Sequence, residues 1–379
     1  MSSLINRRDL DFLLFEYLEA DALTAFNRYA DHDRATFDAV IDAAEQLAVD
    51  QFQSHAAKLD ANEPHFDGER VHIIPEVKAA VDAYIDGGFL GMAFDAEDGG
   101  LQLPYTIAQA CASLFSAANI GTAGYAFLTG AAANMLRIVG SDEQKQRYMR
   151  PMIEGRFFGT MCLSEPQAGS SLGDIKTRAI PQPDGSYHLV GTKMWISGGE
   201  HDLSENIVHM VLAKIDAPDT PPGTKGISLF VVPKFMVNDD GSLGARNGVR
   251  LAGLNHKMGY RGTVNTVLNF GESEDCVGYL VGMSVGASLG YFGGRFDILM
   301  QRLVEIWQGM PFLYTVIIIS SMLKPSFGLL IAILAAWSWM GISFYMRGEF
   351  YREKAKDYVS AAIAQGDSHQ SIIFRHILP

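Results

Sequence analysis

The chain has 379 residues, 48% of them hydrophobic and 19% charged, which is too long for one compact core and apolar enough to fill two or three. Its net charge of −13 is uneven: residues 1–282 hold 22 Lys and Arg against 37 Asp and Glu, whereas residues 283–379 hold 8 against 6. An acidic front part lacks the basic footprint that nucleic-acid binding needs, and no nucleic acid is expected as a partner. Three cysteines, Cys111, Cys162 and Cys276, match no zinc or redox spacing and exclude a disulfide framework. The ten histidines show no ligand spacing, so no metal is expected. The charged, helical N-terminus has no signal-peptide core.

Helix signals dominate residues 1–157. Phe37, Val40, Ile41, Ala44, Leu47, Ala48 and Phe52 recur at helical spacing, as do Ile107, Cys111, Leu114, Phe115 and Ala118. Gly87-Gly88 ends one stretch and Gly140 another, after which Ser141-Asp142-Glu143-Gln144 reads as a capping box. Near Phe157 the period changes. Tyr187–Gly191 alternates after the turn residues Pro183-Asp184-Gly185, Ile207–Lys214 and Gly226–Pro233 are strand-like runs, Asp239-Asp240-Gly241 is a turn, and Val264, Thr266, Leu268 and Phe270 alternate. The fold class this predicts is multidomain: an all-α N-terminal domain over 1–157, with 1–33 as an extension, then an antiparallel β-barrel or sandwich over 158–282.

After Gly282 the composition changes. Phe327–Met346 is an uncharged run of 20 residues, and Met310–Leu323 is a shorter one, separated from it by Lys324-Pro325. A run of that length matches the hydrocarbon thickness of a bilayer, and the alternative is a buried core helix. Trp337 and Trp339 within the run and Arg347 at its end favour the membrane, so residues 283–379 are expected to be an α-helical transmembrane fragment.

Two loops of the β-region carry chemistry. In Met161-Cys162-Leu163-Ser164-Glu165-Pro166-Gln167-Ala168-Gly169-Ser170-Ser171 a strand turns at Glu165-Pro166, and Ala168-Gly169-Ser170 lets backbone N–H groups and a hydroxyl approach an anion. In Lys193-Met194-Trp195-Ile196-Ser197-Gly198-Gly199 a flat indole stands next to a small hydroxyl, a pair that suits a flavin ring face and its polar edge. Taken alone, the tryptophan also reads as core and the Gly-Ser pair as an ordinary turn. Neither loop is a Walker loop.

Both loops, in their order and separation, resemble the flavin-binding segments of the acyl-CoA dehydrogenase family. Supporting stretches are Gly91–Gly100, Asp174–Ala179 and His256–Thr263, and the opening Arg7–Leu23 helix is similar to the extra segment of the longer bacterial subfamily that includes 3-methylmercaptopropionyl-CoA dehydrogenases. The resemblance implies FAD as cofactor, an acyl-CoA as substrate, a homo-oligomer and a cytoplasmic location for residues 1–282. It also implies that Met161, Leu163, Ser164, Gly169 and Ser170 line the flavin, that Trp195 and Ser197 stand at its ring, and that Ser170 also contacts the acyl-CoA. Ser164 and Ser197 stand where the family often has Thr, and Ser171 where Asp is common. The reaction implied is α,β-dehydrogenation of a thioester, in which a carboxylate removes the α-proton and the β-hydrogen leaves as hydride to the flavin. The family's base is a Glu of a C-terminal bundle. The resemblance breaks between Leu280 and Met283, so that base is expected to be absent, and Glu305, Glu349 and Glu353 are not assigned to the role.

Residues 284–379 resemble the inner-membrane permease subunit of ABC importers for peptides. The residues that carry this are Gly290–Asp297, Glu305–Pro311, Met340–Glu349, Tyr358–Gly366 and Arg375–Pro379, with Ala361-Ala362 and Gly366 similar to the motif that docks an ATPase subunit. The resemblance implies the bacterial inner membrane and an ABC ATPase as partner. Three readings result: a dehydrogenase front part that is truncated and inactive, a permease component, or a non-functional join of the two.

Overall fold

The computed structural model describes residues 4–218 and 220–281. Helix α1 (Arg7–Asp11) is capped by the Asn6 side chain accepting from Arg8 N, and continues as a wider turn over Phe12–Tyr17. The expected helix Arg7–Leu23 therefore ends early. Glu19 takes a left-handed φ of 48°, and the 3-10 turns of Ala20–Ala25 follow. The bend brings Ala20 into the core, at 2% exposure, where a straight helix would have carried it past.

Helix α2 (Arg34–Leu47) starts where Asp33 accepts from Thr36 N at 2.7 Å. Phe37, Ile41 and Ala44 are buried on one stripe, which Ala48 and Phe52 extend, as their spacing predicts. After α3 (Ala56–Ala61) and the hairpin β1 (His65–Phe66) to β2 (Val71–His72), helix α4 (Pro75–Asp86) begins on proline and stops before Gly87-Gly88. Helix α5 (Tyr105–Val139) is the scaffold of this part. Phe115 on α5 meets Phe52, Tyr84 and Phe89 with ring centroids 5.0, 4.7 and 5.0 Å apart. The Ser141 capping box forms as expected, with Gln144 N donating to Ser141 Oγ and Ser141 N to Gln144 Oε1, both at 3.2 Å.

Helix α5 is bent. Asn119, buried, has φ −162° and ψ 90°, so residues 105–118 and 120–139 form two arms. Its side chain caps the second arm and ties the bend to the Ala48–Phe52 turn: Oδ1 accepts from Thr122 N at 3.2 Å, and Nδ2 donates to Phe52 O at 3.2 Å.

The strands that follow are β3 (Phe157–Cys162), β4 (Arg178–Pro181), β5 (Tyr187–Ser197), β6 (Asn206–Ile215), β7 (Ile227–Pro233), β8 (Phe235–Val237), β9 (Leu243–Arg246), β10 (Val249–Leu254), β11 (Asn265–Phe270) and β12 (Val277–Leu280). The main sheet runs β10-β11-β5-β12-β7-β6-β3, and β4 pairs with both β5 and β6. Strands β5, β12, β7, β6 and β4 thereby close into a ring, which is a barrel. The expectation of a wholly antiparallel domain is corrected at β6, which is parallel to β3 and to β4. Strand β6 is buried over eight consecutive residues, Asn206–Ala213, and such a strand reads as a continuous run rather than an alternating one.

The helical part packs directly on the barrel. A Cβ at Gly159 of β3 would lie 2.4 Å from the Ala132 Cβ of α5, so only glycine allows this approach. Val264 N donates to Tyr125 Oη at 3.0 Å, and Thr263 Oγ1 to Gly121 O at 2.6 Å. Among the described residues no helix is long and apolar enough to cross a membrane. The expected spans Met310–Leu323 and Phe327–Met346, the Ala361-Ala362 motif, and Glu305, Glu349 and Glu353 lie outside the described residues.

Candidate functional site

The two loops singled out by sequence meet at the end of the barrel. Strand β3 runs out at Cys162, and its continuation crosses the end of β5: Met194 N donates to Ser164 O at 2.9 Å, and Lys193 Nζ donates to Leu163 O at 3.0 Å. Beyond Ser164 the chain reverses in a tight turn in which Glu165 and Ala168 exchange backbone hydrogen bonds of 2.8 and 3.0 Å. The turn is locked by a side chain that sequence reasoning passed over. Glu165 is 5% exposed, and its carboxylate accepts from Thr177 Oγ1 (2.6 Å), Lys176 N (2.7 Å), Gln167 Nε2 (2.7 Å), Lys193 Nζ (2.9 Å) and Thr177 N (3.0 Å). Burial alone raises a carboxyl; here the hydrogen bonds from Thr177 and Lys176 and the Lys193 ammonium outweigh it and hold Glu165 at about 2. Lys193 is wholly buried, and desolvation pushes its ammonium down despite Glu165. The charge partners sit 28 residues apart, Glu165 in the turn after β3 and Lys193 on β5, so no local spacing marks them.

Around this lock the sequence-predicted residues take distinct places. Met161 and Trp195 are exposed, at 38% and 51%. Trp195 also has a φ of 64°, an uncommon conformation for a bulky residue. Leu163 and Ser164 are half-buried against β5. Ser197 is half-buried, and its Oγ accepts from Asn265 Nδ2 at 3.2 Å, which leaves the hydroxyl proton free to donate elsewhere. Asn255 Nδ2 donates to Asn265 Oδ1 at 3.0 Å and fixes that amide. Gly169, Ser170 and Ser171 stand outside the turn, exposed, with nothing within 4 Å of a Cβ placed at Gly169. Hydrogen bonds thus bring Leu163 and Ser164 against the strand that bears Trp195 and Ser197. Gly169 and Ser170 reach them only through the Glu165 turn.

This set suits a flavin dinucleotide. An exposed indole and thioether offer an apolar face, a fixed hydroxyl offers a donor, and the open backbone at Gly169 admits a phosphate. Helix α5 borders the same region, since a Cβ at Gly198 would lie 3.7 Å from both Leu128 and Tyr125. On that helix's free side Phe127, Gly130 and Ala131 line a cavity of about 570 Å³, within the usual range for small-molecule pockets.

Comparison with known proteins divides the chain. Residues 35–156 match the acyl-CoA dehydrogenase N-terminal domain, residues 160–272 the acyl-CoA dehydrogenase middle domain, and residues 278–379 the binding-protein-dependent transport system inner membrane component. The 3-methylmercaptopropionyl-CoA dehydrogenase of Ruegeria pomeroyi is 43% identical over 211 residues, covering 55% of this chain and 35% of that protein. The peptidoglycan transport system permease protein YejE of Agrobacterium fabrum is 44% identical over 110 residues, covering 29% of each. A Bacillus anthracis acyl-CoA dehydrogenase solved with FAD shares the fold, with a TM-score of 0.53 and 22% identity over 69% of this chain and 40% of that one. The chain spans less than half the length of these relatives. It carries the N-terminal and middle domains of the acyl-CoA dehydrogenase family, followed by a domain of the transport-system inner membrane component family.

Proposed function

We propose that residues 1–282 form the FAD- and acyl-CoA-binding part of an acyl-CoA dehydrogenase. The observation that carries this is the indole of Trp195, half in water on a left-handed backbone, beside the Ser164 loop. Exposed apolar surface and a strained backbone both cost free energy, and a flat apolar ring laid on the indole offsets the first. The Bacillus anthracis relative was solved with FAD, which supports the same cofactor here. When bound, FAD supplies the hydride acceptor. Met161 and Leu163 cover its apolar surface, Ser164 and Ser197 donate to its polar edge, and Gly169 and Ser170 receive its phosphates, with Ser170 also toward the acyl-CoA. The cavity along α5 takes the acyl chain. FAD titration of the full chain in lipid nanodiscs, read by flavin fluorescence, tests this: Trp195→Ala should weaken binding about ten-fold, a change of about 1.4 kcal/mol. Equal binding by the variant removes the basis of the proposal.

This chain is proposed to bind without turnover. Removing an α-proton needs a carboxylate free to accept it. Glu165, the carboxylate built into the loops, already accepts from five donors and is unsuited to the role. None of Glu305, Glu349 and Glu353 is assigned as a base. Anaerobic addition of butyryl-CoA to the FAD-loaded chain should leave the flavin oxidised.

A second reading concerns residues 278–379, which carry the transport-system match and the two uncharged runs. We propose that they insert in a bacterial inner membrane and that the Ala361–Gly366 stretch docks an ABC ATPase. The join of the two parts without a linker also fits a fusion of two reading frames, which sequencing of the source DNA across residues 272–283 decides.

A further inference from the structure

The cavity beside α5 is bounded by an element that lies outside both matched dehydrogenase domains. The two arms of α5 contribute Ala108 and Ala112 on one side and Phe127 and Ala131 on the other. Tyr105 and Arg137, at and near the outer ends of the arms, also line it. Residues 26–32 of the N-terminal extension form a strap beside these ends, held by its own hydrogen bonds and contributing Arg28 and Tyr29 to the wall. Gln102 Nε2 donates to Arg28 O at 2.6 Å, and His32 Nε2 lies 3.2 Å from Gln102 O. The Arg28 guanidinium pairs with Asp95 and reaches Ala93 O at 3.5 Å, while Arg137 approaches the other oxygen of Asp95 at 4.0 Å. Asp95 thus latches the strap to the tip of the second arm. Arg28 and the half-buried phenol of Tyr29 line the cavity. The rest of the wall is mostly carbon, so a polar ring and a guanidinium mark the point where an aliphatic ligand stops gaining from burial.

We propose that this strap sets the length of acyl group the cavity accepts, with Tyr29 as the specificity-determining stop. The inference rests on the acyl-thioester reading above. Each methylene held among carbon atoms tightens binding, and one that must displace the phenol and break the Asp95 latch does not.

The test is calorimetric binding of CoA, butyryl-CoA and decanoyl-CoA to the full chain in lipid nanodiscs. In Tyr29→Ala the decanoyl thioester should bind about ten-fold tighter than in the parent, and the butyryl thioester within about two-fold. Tyr29→Leu should fall between, and Asp95→Asn, which frees the strap and leaves the phenol in place, should shift the same ratio in the same direction. Circular dichroism checks that each variant is folded. If the decanoyl-to-butyryl ratio stays fixed in all three while both thioesters bind tighter than CoA, the strap proposal is overturned and the acyl reading stands. If thioesters bind no tighter than CoA in any form, the acyl reading falls and the strap proposal with it.

Discussion

Lys193 and Glu165 show what a single buried pair does for a loop. Both side chains are almost wholly withdrawn from water, at 0% and 3% exposure, so neither can lose its partner cheaply. Lys193→Met should destabilise the chain by about 3–5 kcal/mol at neutral pH, because it strands a carboxylate in the protein interior. Urea unfolding followed by circular dichroism measures this, and a loss below about 1 kcal/mol would show that the turn is held by the Thr177 and Lys176 bonds alone. The pH dependence has a definite sign. Glu165 is held below its ordinary value, so its contribution is complete above about 4.5 and is lost as the pH falls toward 2. His201 and His209, at 2% and 0% exposure, are pushed down to about 3, by burial first and by the Lys234 ammonium second. Their neutral forms belong to the folded state, so their contribution is complete above about 6.5 and is lost as the pH falls through 3. His209→Gln should therefore flatten the dependence of the urea midpoint between about pH 6 and 4.5, since one fewer proton is taken up on unfolding. An unchanged slope would place the proton uptake elsewhere.

Among elements, the bend of α5 is the one on which the cavity depends. Asn119→Ala loses both the cap on Thr122 N and the bond to Phe52 O and should cost about 1–2 kcal/mol. Asn119→Asp keeps the cap but sets a carboxylate against the Phe52 carbonyl, and should cost more than alanine at neutral pH and less near pH 3. The order of the two variants by thermal unfolding at each pH checks the assignment. Sequence showed the stripe Ile107–Ala118 and the helix end at Gly140 because both follow from local spacing. It did not show the bend, because Asn119 sits in an alanine-rich stretch with no proline or paired glycine, and its partner Phe52, 67 residues away, comes from tertiary packing. The strand runs of the barrel were legible, but the parallel pairings of β6 were not, since direction is set by how the chain returns and not by composition. At the site, Trp195 and Gly169 were legible as residue types, although Trp195 lies on strand β5 and not in a loop, whereas Lys193, Glu165 and the strap residues Arg28 and Tyr29 gain meaning only from long-range partners. The early end of the first helix, at Glu19, belongs to the same class.

For the whole molecule, the charge asymmetry between residues 1–282 and 283–379 is the feature that composition reports most directly. If the tail inserts as proposed, the full chain stays with the membrane pellet after alkaline carbonate washing and is released by detergent; recovery in the wash would refute insertion. The dehydrogenase middle-domain match ends at residue 272, and the transport match begins at residue 278. The structure places Val277–Leu280 inside the barrel, hydrogen-bonded to β5 on one side and β7 on the other. Residues at the start of the transport match are thus used by the dehydrogenase fold.

That placement has a consequence for biosynthesis. The last of the described strands to leave the ribosome, β12, fills an interior slot of the ring and not its rim, so translation must pass Leu280 before the barrel can seal. A ribosome is by then already adding tail residues, so the barrel seals only while the next segment is being made. Stalling or cleavage ahead of Val277 would leave two unzipped strands, β5 and β7, facing each other across an open seam that a neighbouring nascent chain could invade.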